Sequence, residues 1–187
     1  DRLFLPYAVA EYVRVTGDRT LLTEVEPFLD DPPLKPDEKV RYHPVNVGEE
    51  SDDVYGHCIR ALEVSMGTGS HGLPLMGAGD WNDGMDRIGI EGRGESVWLG
   101  WFLIHCLKSF IPFCEERGDA ERAKGYRDKI DALYEALQTE GWDGAWYLRA
   151  YDDEGNLVGS AKEEQCRIDV LPQAWAVLSG SEDTDRN

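Results

Sequence analysis

The chain has 187 residues, 41% of them apolar, and a formal net charge of −18. That length and apolar share suffice for one ordinary domain with a sizeable core and argue against wholesale disorder. The charge argues against electrostatic binding to nucleic acid or an anionic membrane surface, and it disfavours anionic polymers as substrates while leaving neutral sugars open.

Leu5, Ala8, Val9, Tyr12 and Val13 recur at three- and four-residue steps and predict a helix over 3–15, with Pro6 in its first turn and Gly17-Asp18 at its end. A short second helix is expected over 20–28. Residues 30–46 contain Pro32, Pro33, Pro36 and Pro44 without sustained periodicity and read as a loop. Ser51-Asp52-Asp53 is a capping signal ahead of Tyr55, Cys58, Ile59, Leu62 and Met66, which predicts a helix over 54–66. Residues 67–94 are glycine-rich and irregular, and a loop of that length inside a compact domain is usually functional. Helical patterns resume over 96–116 and 120–138. Residues 142–148 read as a short strand or turn, 151–159 as a hairpin-like loop, and 168–178 as a last helix closed by Ser179-Gly180. The body is expected over 1–180, and the polar tail 181–187 is expected to fray. Helix pairs joined by loops of unequal length, with few strands, point to an all-α protein, either a bundle or part of an α/α toroid.

Cys58, Cys106, Cys114 and Cys166 make no CxxC pair and read as small buried thiols of a reducing compartment. No signal peptide is seen, and no apolar run reads as long enough to cross a bilayer. The expectation is a soluble segment facing the cytoplasm, compatible with a parent held at an inner membrane.

The most informative stretch is Gly77-Ala78-Gly79-Asp80-Trp81-Asn82-Asp83-Gly84-Met85. A carboxyl group can protonate a departing glycosidic oxygen, and an indole face can stack on a sugar ring. A sugar site around Asp83, Trp81 and Asp80 is the leading reading. The plain alternative is that these acids cap turns in a solvated loop. A calcium loop is a further alternative, since Asp80, Asn82 and Asp86 alternate, but the glycine does not fall where an EF-hand needs it, and no metal is expected. An acidic Asp83 needs partial burial or nearby negative charge, for which Asp80, Asp86 and Glu95 are candidates.

Glu95 stands before Ser96 at a helix start, where it either complements the helix dipole or bonds a substrate. His71 in the long loop is a candidate ligand contact, and Arg93 between two glycines is a candidate to reach a substrate hydroxyl or a carboxylate. Trp98, on a helix with Leu99, Phe102 and Leu103, reads as core, and Trp142, Trp146 and Trp175 as structural. His57 and His105, on helices, are expected to have no site role.

Six segments in order resemble glycoside hydrolase family 94, the inverting β-glucoside phosphorylases, and within it the phosphorylase-like region of cyclic β-1,2-glucan synthases and the 1,2-β-oligoglucan phosphorylases. They are Leu5-Pro6-Tyr7-Ala8-Val9-Ala10-Glu11-Tyr12-Val13 with Thr16-Gly17-Asp18; His71-Gly72-Leu73-Pro74-Leu75-Met76; and Gly79-Asp80-Trp81-Asn82-Asp83-Gly84-Met85. The others are Gly92-Arg93-Gly94-Glu95-Ser96-Val97-Trp98-Leu99, Trp142-Asp143-Gly144-Ala145-Trp146-Tyr147-Leu148-Arg149-Ala150, and Gln173-Ala174-Trp175-Ala176-Val177-Leu178-Ser179-Gly180.

The resemblance implies a segment of an (α/α)6 barrel, with Asp83 as general acid and Trp81 as sugar platform. It implies no organic cofactor: inorganic phosphate is the co-substrate and nucleophile, replacing the second carboxylate of an ordinary inverting site and giving α-glucose 1-phosphate. Asp1 falls at the end of the family's sugar-binding Arg/Asp segment. The family's downstream phosphate-binding His and Gly-Thr-rich loop find no counterpart after Gly180, so a central piece without turnover of its own is expected. The implied partner is a β-glucan oligosaccharide or polysaccharide, with no nucleic acid. Self-association is expected through apolar faces at Leu3, Leu5 and Val9 and at Val170, Leu171 and Val177. The alternatives are a non-catalytic glucan-binding or interdomain helical module, and an (α/α)6 inverting hydrolase with Glu95 or Asp80 as base.

Overall fold

The structure is a computed structural model that describes residues 1–35, 38, 41–181, 183, 185 and 186. Pro36 of the expected loop and Glu182, Thr184 and Asn187 of the expected tail lie outside the described residues. The chain divides into two compact units, Asp1–Val64 and Ser65–Asn187.

In the first unit, α1 (Phe4–Thr16) buries Pro6, Val9, Ala10 and Val13 along one stripe. It stops at Gly17, whose left-handed backbone turns its N–H onto Val13 O at 2.8 Å. The helix expected over 20–28 is a single 3₁₀ turn, Thr20–Thr23, followed by a strand, β1 (Val25–Asp30). Pro27 is the physical reason: it has no N–H to give a helix, and it pushes Glu26 to extended backbone. β1 pairs antiparallel with β2 (Asn46–Asp53), with Val25 opposite Asp53, Leu29 opposite Val47 and an irregularity between Pro27 and Leu29. Asp53 caps α2 (Val54–Glu63) by accepting from Gly56 N at 2.8 Å, as the sequence predicts. α2 buries Tyr55, Cys58, Ile59 and Leu62 and packs on α1. His57 fastens this helix to β1, with Nε2 2.9 Å from Glu26 O and its ring against Phe28.

The second unit is built on α3 (Val97–Glu116), capped by Ser96. Trp98, Trp101, Phe102, Leu103, Ile104, Cys106, Leu107 and Phe110 are all buried, so the helix is covered on nearly every side. By length and composition α3 is the one described helix able to cross a membrane, which the sequence reading did not expect; 67% of its most apolar stretch is buried inside the structure. α4 (Ala120–Thr139), capped by Asp119, lays Ala123, Tyr126, Leu133 and Leu137 against α3. α5 (Val170–Leu178), capped by Asp169, covers another side, with Trp175 4.6 Å from the Phe102 ring. His105 Nδ1 lies 3.3 Å from Leu178 O, joining α3 to α5.

The all-α expectation is corrected by two small antiparallel sheets. Besides β1–β2, a three-stranded sheet runs in the order β3 (Glu95–Ser96), β4 (Ala150–Tyr151), β5 (Leu157–Val158). These strands are two residues long, too short to leave a periodic signal in sequence. None of the four cysteines is in a disulfide; Cys58, Cys106 and Cys114 are buried as expected, whereas Cys166 is exposed. Of the apolar residues expected on open faces, Leu3 and Val9 are buried and Leu171 is half-buried, while Leu5, Val170 and Val177 are exposed.

Phe110 is fully buried and packs edge-on against Phe113, with ring centroids 5.2 Å apart. Phe110→Ala is expected to cost about 3–5 kcal/mol in denaturant unfolding, as for other large-to-small core changes. A loss below about 1 kcal/mol would show that α3 is not the packed centre of its unit.

Candidate functional site: a loop fastened by three carboxylates

The long loop leaves and re-enters the fold at one place. Leu75 bridges Glu95, Met76 N bonds Gly94 O at 3.0 Å, and Ser96 N bonds Pro74 O at 2.9 Å. Between these ends the chain has little regular structure, so its backbone donors turn to side chains.

Glu95 serves the entry. Its side chain is 1% exposed and accepts from His71 N at 3.1 Å, Leu73 N at 3.0 Å, Ser70 Oγ at 3.3 Å and His71 Nδ1 at 2.7 Å. His71 also stacks on the Tyr151 ring at 3.8 Å. Only glycine suits position 69, because a Cβ there would stand 2.4 Å from Glu95 Cδ. Burial pushes the Tyr151 hydroxyl up to about 12, aided by the negative charges of Glu140, Glu95 and Asp143.

Asp153 serves the exit. It accepts from Glu91 N at 2.7 Å, Arg93 N at 2.8 Å and Gly94 N at 3.0 Å, and its backbone carbonyl accepts from Arg93 Nε at 2.8 Å. Burial alone would raise the Asp153 carboxyl, but the three N–H groups and the Arg93 charge outweigh it and hold it below its ordinary value.

Asp80 serves the middle. Its side chain, 2% exposed, pairs with the equally buried Arg149 guanidinium. Oδ2 accepts from Trp98 Nε1 at 3.2 Å, and Oδ1 accepts from Asn82 N at 2.9 Å. Arg149 is further held by Ser96 Oγ at 3.4 Å and Asp169 Oδ2 at 3.2 Å.

Beyond Asp80 the chain is exposed. Trp81 is 61% exposed. Asn82 caps a 3₁₀ turn, Asp83–Met85, by accepting from Gly84 N at 3.0 Å. Asp83, the first residue of that turn, is exposed, and its carboxylate has no hydrogen bond or ion pair among the described residues.

The candidate residues thus separate. His71 and Glu95 meet at the loop entry; Arg93 is tied to Asp153 at the exit; Trp81 and Asp83 share the exposed tip; Asp80 lies beneath it. Asp1 lies in the first unit, where its carbonyl accepts from Phe4 N at 3.0 Å. Among the described residues no group of three or more His, Cys, Asp or Glu could hold a metal ion. Asp80 does not present a free negative charge to Asp83, because Arg149 neutralises it. The sequence reading gave no role to Arg149, Asp153 or Tyr151. Arg149 had a usable signal, a lone guanidinium in the otherwise apolar run 147–151, since arginine is almost never buried unpaired. Asp153, inside Asp152-Asp153-Glu154-Gly155-Asn156, looks like any turn residue and had none.

An exposed carboxyl beside an exposed indole, above a helical core, suits a carbohydrate-processing domain. The family model for the catalytic domain of the glycosyl hydrolase 94 superfamily matches residues 1–187, and the chain belongs to that superfamily. It is 44% identical, over its whole length, to the cyclic β-(1,2)-glucan synthase NdvB of Rhizobium meliloti, of which it covers 7%. It is 40% identical over 132 residues to a 3-O-β-D-glucopyranosyl-β-D-glucuronide phosphorylase of Paenibacillus borealis, covering 70% of this chain and 17% of that protein. With the solabiose phosphorylase of the same organism it shares 36% identity over 180 residues, 95% of this chain and 21% of the relative. The chain therefore spans only a small part of the length of these relatives.

Because Asp153 is lowered, the unfolded chain binds its proton more readily than the folded one. Its contribution is full above its ordinary value near 3.8 and is lost as pH falls through the lower folded value. Asp153→Asn is expected to lower the melting temperature at pH 7 and to make progressively less difference below about pH 4. An equal deficit at both ends of that range would mean that the carboxylate charge is not what holds the loop exit.

Proposed function

We propose that the chain is the acid-bearing part of an (α/α)6 catalytic domain that carries out inverting phosphorolysis or glucosyl transfer on a β-glucan. The observation that carries the reading is an unencumbered Asp83 carboxyl two residues from the exposed Trp81 indole, on a loop whose Asp80 and Glu95 side chains are buried. Full-length similarity to a cyclic β-(1,2)-glucan synthase favours a β-1,2-linked substrate, and the phosphorylase relatives favour phosphate as acceptor.

In this reading Trp81 stacks against a sugar ring and fixes its plane relative to Asp83. Asp83 gives its proton to the glycosidic oxygen as the anomeric C–O bond breaks. A phosphate oxygen forms the new bond to the anomeric carbon from the opposite face, with inversion, so the products are α-glucose 1-phosphate and a glucan shortened by one unit. Only one protein carboxyl is needed, because phosphate is the nucleophile. His71 and Arg93 are the remaining candidates of this unit for contacts to the sugar; Asp80 and Glu95 are taken up by bonds within the protein, and Asp1 belongs to the other unit.

An inverting hydrolase would need a second carboxylate to activate water. Glu95 and Asp80 are the candidates, and both are buried and already bonded within the protein. That weighs against hydrolysis. A binding module without catalysis would leave Asp83 without a task.

Asp83→Asn in the full-length protein is expected to cut phosphorolysis of β-1,2-glucan by at least about 100-fold, the usual size of a lost general acid. Release of glucose 1-phosphate is the readout. Near-native turnover by this variant would remove Asp83 from the role.

A further inference from the structure

We propose that Arg149, through Asp80, is the positioning residue that fixes where the Asp83 carboxyl stands. The inference rests on the reading of Asp83 as the general acid.

A guanidinium cannot shed its charge in a protein, so a side chain 2% exposed must be fully paired. Arg149 reaches three segments: Asp80 in the loop, Ser96 at the start of α3 and Asp169 at the cap of α5. From Asp80 a continuous series of bonds runs outward. Asp80 Oδ1 accepts from Asn82 N at 2.9 Å, and Asn82 Oδ1 accepts from Gly84 N at 3.0 Å. Trp81 and Asp83 sit between successive links, so both backbone positions are set by the buried pair.

Trp81, Asn82, Asp83, Gly84, Asp86 and Arg87 are all exposed, and only Met85 of the tip is half-buried, so little core lies under it. A buried ion pair is also a poor way to gain stability, since apolar residues of equal volume often do as well. What the pair supplies is direction. Arg149 immediately precedes the strand β4 and is bonded to Ser96 of β3, and Trp98 lies in the first turn of α3, so Asp80 is held from two sides by residues at or beside regular elements. A general acid must lie within hydrogen-bond reach of the leaving oxygen, and small displacements are costly.

The test compares leaving groups in the full-length protein. A glucan leaves as a sugar alkoxide and needs a proton; a dinitrophenyl β-glucoside leaves as a stable phenolate and does not. With phosphate as acceptor, Arg149→Lys and Asp80→Asn are expected to lower kcat on β-1,2-glucan by about 10–1,000-fold, within the range for a misplaced acid. KM should change little, and turnover of the dinitrophenyl glucoside should stay near native. Equal losses on both substrates, or no loss on either, would overturn the proposal and leave Arg149 as scaffold. Should the single variants not fold, Asp80→Asn/Arg149→Met removes both charges together, and the exposed Asn82→Ala cuts the series at its outer end. Selective loss on glucan in either supports the proposal; a native ratio of the two rates in a folded double variant, or in Asn82→Ala when the double variant does not fold, sinks it. Asp83→Asn is the reference. If it shows no leaving-group selectivity, the acid assignment itself fails; if it does and Arg149→Lys does not, only the positioning role fails.

Discussion

A long irregular loop has to give its backbone N–H groups somewhere to go, and here they go to carboxylates. Glu95 collects the N–H groups of His71 and Leu73, Asp80 that of Asn82, and Asp153 those of Glu91, Arg93 and Gly94. Hydrogen bonds to a charged acceptor are stronger than neutral ones, and one carboxylate can accept several at once. Three side chains therefore replace the ladder that a strand or helix would have supplied. The acids that do this are drawn from a chain rich in them, and they are inseparable from the loop's shape.

The carboxylates can do so only because the scaffold holds them. Glu95 lies on β3, immediately before the Ser96 cap of α3, so the helix that forms the core also places the acid at the loop entry. Trp98, one turn into α3, has its indole body in the core against Phe102 and Trp175 and its N–H on Asp80. A buried tryptophan usually finds a partner for that N–H. Packing and loop geometry thus share a residue, and a change on one side of Trp98 is felt on the other. β4 contributes Tyr151, the residue just before it is Arg149, and the hairpin turn that follows it contributes Asp153. The two-residue strands have small ladders, but each delivers a side chain to the loop.

Much of this was legible in the sequence. Helices with clear three- and four-residue spacing fall where expected within three residues at either end, and the Asp53 and Ser96 caps follow from polar residues placed just before apolar runs. The Asp83–Trp81 pair stands out in a glycine-rich loop, but its exposure does not: the sequence asks for partial burial or nearby negative charge at Asp83, and the structure leaves it exposed with Asp80 neutralised. What did not show was pairing at a distance. Arg149 and Asp80 are 69 residues apart, and Asp153 and Arg93 are 60 apart. No local periodicity encodes such contacts. The helix expected over 20–28 failed for a different reason: apolar spacing was read over a proline that forbids the bond the helix needs.

Burial also sorts the acids of the loop by what they can do. A carboxylate surrounded by N–H donors or a guanidinium is stabilised in its charged form, so it resists protonation and makes a poor proton donor. Asp153 stands in such surroundings. A general acid needs the opposite: no competing donors, and access to the oxygen that leaves. Within this loop Asp83 combines exposure, a free carboxylate and a neighbouring indole. Glu95 and Asp80 are taken up by bonds within the protein, which suits them as anchors, and the anchored acids hold the loop that carries Asp83.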